Sequence, residues 1–318
     1  MTNTEKAAEI AEEKSEVGGA EKRTHHKFLK VALVIVLEIA LLSAGLFFGY
    51  TYAKATIEPV ILSNYRTLED LREYYCPTAE ELKKDAATFA AEDDPFGMYK
   101  RIYYTLLMQE AVNVTGEGTT ETNGGTVLIA TEKKLESGLM YTHTRSEGTG
   151  LAASFGGNFD IRQYFDVESQ LVKILSDRAE DEKKNGKVQS EQTYVAKYGL
   201  LPYGYSNYIV EEETIESWSY ERTGDEFVLT LKFYAEATKD YLTQMKAYSG
   251  QVASFSDGDI EYKMYFDESF VLRKTEVSEK YKVMGMTCRA NLTERYVYGG
   301  EEGYRSLLEE EKFANVGI

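Results

Sequence analysis

The chain is poor in the residues that most catalytic and metal sites depend on. Its 318 residues include two cysteines, three histidines, four prolines and one tryptophan. Cys76 and Cys288 cannot build a disulfide-rich scaffold, and their positions leave both a pair and two separate thiols open. Only His143 lies beyond residue 50, and a lone histidine without a Cys or His partner nearby argues against zinc. Ser-His-Asp chemistry would have to use that one residue, and no G-x-S-x-G elbow accompanies it. Walker A and dinucleotide glycine patterns are also missing. The expectation is a chain with no catalytic set, no metal and no cofactor. Few prolines, with 28% charged and 43% hydrophobic residues, exclude a disordered composition.

Positive charge is in short supply as well. The net charge is −17. The first 30 residues carry six Lys/Arg and six Asp/Glu, and Glu38 adds one negative charge, so the rest of the chain holds −16. Such a surface repels phosphate backbones, and no nucleic-acid partner is expected. The acidic clusters have local explanations. Glu92-Asp93-Asp94 precedes a helix, Glu211-Glu212-Glu213 is a solvated face, and Asp257-Gly258-Asp259 is a turn. None follows the spacing of a calcium loop.

One long apolar run is present, Val31 to Tyr50. Twenty helical residues at about 1.5 Å each span a hydrocarbon core of about 30 Å. Lys22, Arg23, Lys27 and Lys30 precede it, which places the N-terminus in the cytoplasm and the rest outside. Ala53-Lys54-Ala55 has the form of a signal-peptidase site, but the run is long and about 30 residues precede it, so an uncleaved anchor is expected. Glu38 sits mid-span, where a carboxylate is costly unless protonated or paired. Glu38, Leu42, Gly45 and Gly49 share one helix face, a surface for a membrane-helix partner or a second copy.

Beyond residue 50 the periodicity predicts helices and then strands. Ile61, Tyr65, Leu68, Leu71 and Tyr75 mark a stalk helix ended by Pro77. Thr78 to Glu81 reads as a capping box opening a helix to about Ala91. Asp94-Pro95 starts a third helix with Phe96, Tyr99, Ile102, Tyr103 and Leu106 on one face. From Val112 the signal is short strands, among them 126–129, 139–145, 151–155 and 170–176. Later strands are expected at 227–234, 260–266, 271–283 and 287–298, with a helix at 239–248 between the first two and a last short helix through Tyr304, Leu307 and Leu308. The fold class is therefore α+β. An N-terminal transmembrane helix and helical stalk precede a curved antiparallel sheet, a half-barrel, packed on helices. The expected parts are a cytoplasmic tail 1–30, a transmembrane helix 31–50, a membrane-proximal helical stalk 51–94 and an extracytoplasmic domain 95–318.

The strand Phe227–Tyr234, the helix with Tyr241 and Met245, and the stretch Glu261 to Tyr296 together resemble the LolA/LppX-like group. The resemblance spans about residues 95–298. It implies a half-open barrel wrapped around helices and a role in carrying or binding lipids or lipoproteins outside the cytoplasm. This sequence departs in its helical anchor and added membrane-proximal helices.

The Gly/Pro loop 198–208 places Tyr203, Tyr205 and Tyr208 together, with Trp218 close in sequence. Tyrosine joins apolar area to a polar tip, so these four are the candidate ligand-binding residues. Two functions follow. One is a membrane-anchored, non-enzymatic binding protein holding a lipid, a lipoprotein segment or another apolar ligand in a half-barrel groove. The other is a structural or assembly subunit of a bacterial envelope complex of secretion or conjugation type.

Overall fold

The computed structural model describes residues 67–150, 153, 158–176, 186–198, 208–249, 252–283 and 285–307. All of these lie within one unit of the chain, Pro59–Ile318. The tail, the predicted span, and with it Glu38, Gly45 and Gly49 fall outside the described residues. Among the described residues no helix is long and apolar enough to cross a membrane.

The helices begin where side chains can cap them. α1 (Leu68–Tyr74) starts at Thr67, whose hydroxyl accepts from the Asp70 amide while the Asp70 carboxylate accepts from the Thr67 amide at 2.7 Å. The predicted Thr78–Glu81 capping box also forms. It does not carry a helix to Ala91 as the sequence suggests. The chain makes one 3-10 turn, Glu81–Lys83, and restarts as α2 (Ala86–Ala91). The reason is Asp85, which leaves the helical conformation and accepts from the Thr88 amide at 2.8 Å, so a competing acceptor starts a new helix. α3 (Pro95–Leu107) opens as expected, with Asp94 accepting from the Gly97 amide at 2.7 Å. It buries Met98, Tyr99, Ile102, Tyr103, Leu106 and Leu107.

Among the described residues, twelve strands form one curved, unclosed antiparallel sheet. They are β1 (Ala111–Thr122), β2 (Gly125–Glu136), β3 (Leu139–Gly148), β4 (Phe159–Asp166), β5 (Leu171–Ser176), β6 (Lys187–Ser190), β7 (Ile215–Thr223), β8 (Glu226–Phe233), β9 (Ala253–Ser254), β10 (Ile260–Phe266), β11 (Leu272–Val283) and β12 (Met286–Tyr298). The order is β6-β5-β4-β3-β2-β1-β12-β11-β10-β8-β7, with β9 paired to β11 outside that path. Two consecutive meanders are thus joined where β1 pairs with β12. α4 (Glu191–Tyr198) follows β6, and α5 (Lys239–Ser249) lies between β8 and β9.

Paired residues on neighbouring antiparallel strands share a face, so the register sorts the side chains. The inner face, on which the helices pack, carries Leu229 and Leu231 of β8, Tyr262 and Met264 of β10, and Tyr296 and Tyr298 of β12. The outer face is largely charged, as with Lys263, Glu276 and Arg295. The described helices pack mainly on β5, β6, β8, β9 and β11.

The predicted C-terminal helix through Tyr304 and Leu307 is absent, and Leu308 lies outside the described residues. Gly300 and Gly303 adopt positive φ (87° and 89°), and the chain passes through turns at 299–303 and then runs irregularly to 307. Its polar groups find partners on the sheet. The Asn113 side chain donates to the Arg305 carbonyl at 3.0 Å, and the Ser306 hydroxyl donates to Glu136 at 2.8 Å. Leu307 is buried against Tyr141 and Tyr164. A helix would satisfy the same three- and four-residue spacing, but it would give up these pairings.

Candidate ligand-binding face

One inner-face row crosses nearly the whole sheet. It runs from Trp218 through Leu231, Tyr262, Val277 and Leu292, crosses Gly118, and continues through Ile129 and Ser146 to Phe159. Leu231 and Tyr262 are buried, whereas Val277, Leu292, Ile129 and Phe159 are half-buried. Val127 and Ile161, on the adjacent rows, are half-buried too. The middle of the inner face therefore keeps accessible apolar surface where the described helices do not cover it.

Two polar stations bound this strip. The first lies on the row of Gly116, which pairs Glu294 on one side and Thr131 on the other. Glu294 is buried, and its carboxylate takes the Lys133 ammonium at 3.1 Å, the Tyr296 hydroxyl at 3.2 Å and the Thr275 hydroxyl at 3.4 Å. Lys133 belongs to β2 and Glu294 to β12, so the ion pair reaches over β1. Gly116 makes this possible. A Cβ built there would stand 2.3 Å from Thr131 Oγ1 and 3.1 Å from Glu294 Cγ. Thr131 Oγ1 is itself buried and has no hydrogen-bond partner.

The second station lies four residues further along β1, about 13 Å away at the rise of a strand. Glu279, on the row of Thr120, accepts from the Tyr208 hydroxyl and, at 3.5 Å, from the Tyr241 hydroxyl of α5. Burial pushes its carboxyl up to about 7, against the opposing pull of the two tyrosines. Burial and the Glu279 charge likewise raise Tyr208 and Tyr241 well above the ordinary phenol range. The Tyr208 ring lies against Phe233, Tyr241 and Tyr262, with centroids 5.6, 5.9 and 6.1 Å away.

The residues singled out from the sequence are thus distributed. Tyr203 and Tyr205 fall outside the described residues. Tyr208 belongs to the Glu279 station. Trp218 sits on the edge strand β7, and its indole N–H donates to Asp93 Oδ1 at 2.9 Å. Tyr262 stands between the two, two strands from Trp218 along the row and in ring contact with Tyr208. Cys76 and Cys288 are both free thiols, the first exposed and the second buried beneath α5 beside Tyr281 and Val283. His143 is a strand residue whose Nε2 meets Asp160 Oδ1 at 3.0 Å. Among the described residues no group of His, Cys, Asp and Glu has the arrangement of a metal site.

Sequence reading missed Lys133, Glu294 and Glu279. A signal was there. Lys133 falls in the inward phase set by Val127, Ile129 and Leu135, Glu294 stands between Leu292 and Tyr296, and Glu279 between Val277 and Tyr281. A charge in the buried phase of a strand marks a polar group with a partner or a task.

No protein-family model matches the chain, and no curated protein matches it. Among solved structures, the ywiB protein from Bacillus subtilis aligns at 12% identity over 58% of this chain and 91% of its own, with a TM-score of 0.18. A DUF1329 family protein from Desulfovibrio piger aligns at 9% identity over 65% and 93%, with a TM-score of 0.22. MucB, in complex with MucA(peri), aligns at 9% identity over 65% and 94%, with a TM-score of 0.11. At these scores none of the three carries an argument about fold or function.

Proposed function

We propose that this chain is a membrane-anchored extracytoplasmic binding protein, not an enzyme, that holds an apolar or partly apolar ligand on the inner face of its open sheet. The observation that carries the reading is the half-buried strip around Ile129, Leu292 and Ile161, framed by the two polar stations. These side chains leave apolar area within a ligand's reach, and fully burying a large apolar side chain contributes about 1.5–3 kcal/mol. An apolar surface with a few convergent polar groups is the usual make-up of a ligand seat. The resemblance of the Glu261–Tyr296 stretch to the LolA/LppX-like group points to lipid or lipoprotein ligands. The apolar run 31–50 and its basic flank support the anchor and the outward orientation.

The test is photocrosslinking in the full chain. A benzophenone amino acid replaces Ile129 on the inner face or, as control, Thr230 on the outer face. An acyl-lipid adduct at position 129 and none at 230 is the expected result. A protein adduct at 129 favours the assembly-subunit reading instead, and no adduct at 129 overturns the proposal.

A further inference from the structure

We infer that the cluster over Gly116, made by Lys133, Glu294 and Thr131, recognises the carbonyl oxygen of an uncharged acyl ester whose chain lies along the Ile129–Leu292 strip. This deepens the binding reading above and rests on it. The hydrogen-bond inventory leads there. An ammonium has three N–H donors, and Lys133 gives one to Glu294. Its side chain keeps 24% of its surface accessible while Glu294 keeps 6%, so the lysine is the member of the pair that a ligand can reach. The Thr131 hydroxyl, closed to solvent and without a partner, stands two residues before Lys133 on the same face of β2. Leaving such a group unpaired costs about 1–3 kcal/mol, which a ligand acceptor recovers. The Glu294 carboxylate is already served by Lys133, Thr275 and Tyr296. Donors are therefore in surplus and acceptors are not.

Charge decides between a neutral and an anionic acceptor. The Lys133–Glu294 pair sums to zero, and the Glu294 stem stands close to the Thr131 hydroxyl over Gly116. A carboxylate or phosphate head placed there would face a buried like charge within a strongly acidic chain. An ester carbonyl takes the same hydrogen bonds without that repulsion. Ile129 lies one row away from Thr131 on β2, and Leu292 one row away from Glu294 on β12. The ester's chain thus has apolar contacts immediately next to the polar cluster.

The experiment uses membranes containing the full chain and two photoreactive probes, a diazirine-bearing palmitate methyl ester and the parent acid. The readout is the concentration giving half-maximal labelling of the β2 peptide that carries Ile129. We expect the ester to label at about tenfold lower concentration than the acid, the difference one well-placed hydrogen bond makes. Thr131→Val, which removes the hydroxyl and little volume, should erase that preference by weakening the ester alone. Lys133→Met should weaken labelling by the ester as well, and the threonine variant covers the case in which it folds poorly. Equal labelling by acid and ester, or an ester preference that survives Thr131→Val, overturns the inference while leaving the binding reading intact. If neither probe labels β2, the binding reading itself fails and this inference goes with it.

Discussion

The Lys133 ammonium lies 3.1 Å from the Glu294 carboxylate across a strand that contains neither residue. They meet because position 116 of that strand has no side chain. Breaking a mostly buried ion pair strands the remaining charge, so Lys133→Met should destabilise the protein by about 3 kcal/mol. Adding Glu294→Leu should recover only part of that loss, since it removes the stranded charge but also the acceptor that the Thr275 and Tyr296 hydroxyls use. Gly116→Ala should cost about 1–3 kcal/mol, because its Cβ would overlap the Thr131 hydroxyl. Chemical denaturation of the three variants checks the set. A lysine variant as stable as the wild type would contradict it.

Glu279 makes stability depend on pH with a definite sign. Its folded-state carboxyl titrates at about 7, above the ordinary 4.5. The folded state thus prefers the protonated form. That contribution is complete below pH 4.5, falls as the pH rises, and is gone above about 7. Glu279→Gln should flatten this part of the profile and be more stable than the wild type at pH 8. Thermal unfolding measured at several pH values reads the difference, and parallel profiles for the two proteins would refute the assignment.

The single tryptophan offers a local probe. Trp218 is tied to Asp93, which holds a left-handed backbone conformation (φ 56°) at the end of α2. Asp93→Ala should free the indole, shift its emission to longer wavelength and lower its anisotropy. The site is exposed, so the change in stability should stay below about 1 kcal/mol. Asp93→Asn keeps a carbonyl acceptor and tolerates the backbone conformation, so its spectrum should match the wild type. An unshifted alanine variant would mean the contact does not persist in solution.

The second meander was legible because its strands alternate cleanly. Phe227, Leu229, Leu231 and Phe233 point one way, and so do Ile260, Tyr262, Met264 and Phe266. The strand Phe159–Asp166 was not foreseen. Apolar and polar residues alternate from Phe159 to Arg162, but the pattern breaks where Gln163 turns inward and Tyr164 is buried on the opposite face, under Leu307. A strand covered on both faces loses the period of two that betrays strands in sequence. The inner-face polar stations were hidden for another reason. Lys133 and Lys134 are neighbours on opposite faces, and only the phase of the surrounding strand says which one turns inward. The partner of Lys133 lies 161 positions away, and the pairing of β1 with β12 that brings it near has no local sign.

Edges β6 and β7 stand at opposite ends of the strand order and never pair. A closed barrel has its circumference set by strand number and stagger, and its lumen follows. No such rule binds this sheet. No pairing joins its two terminal strands, so closure does not fix its bend.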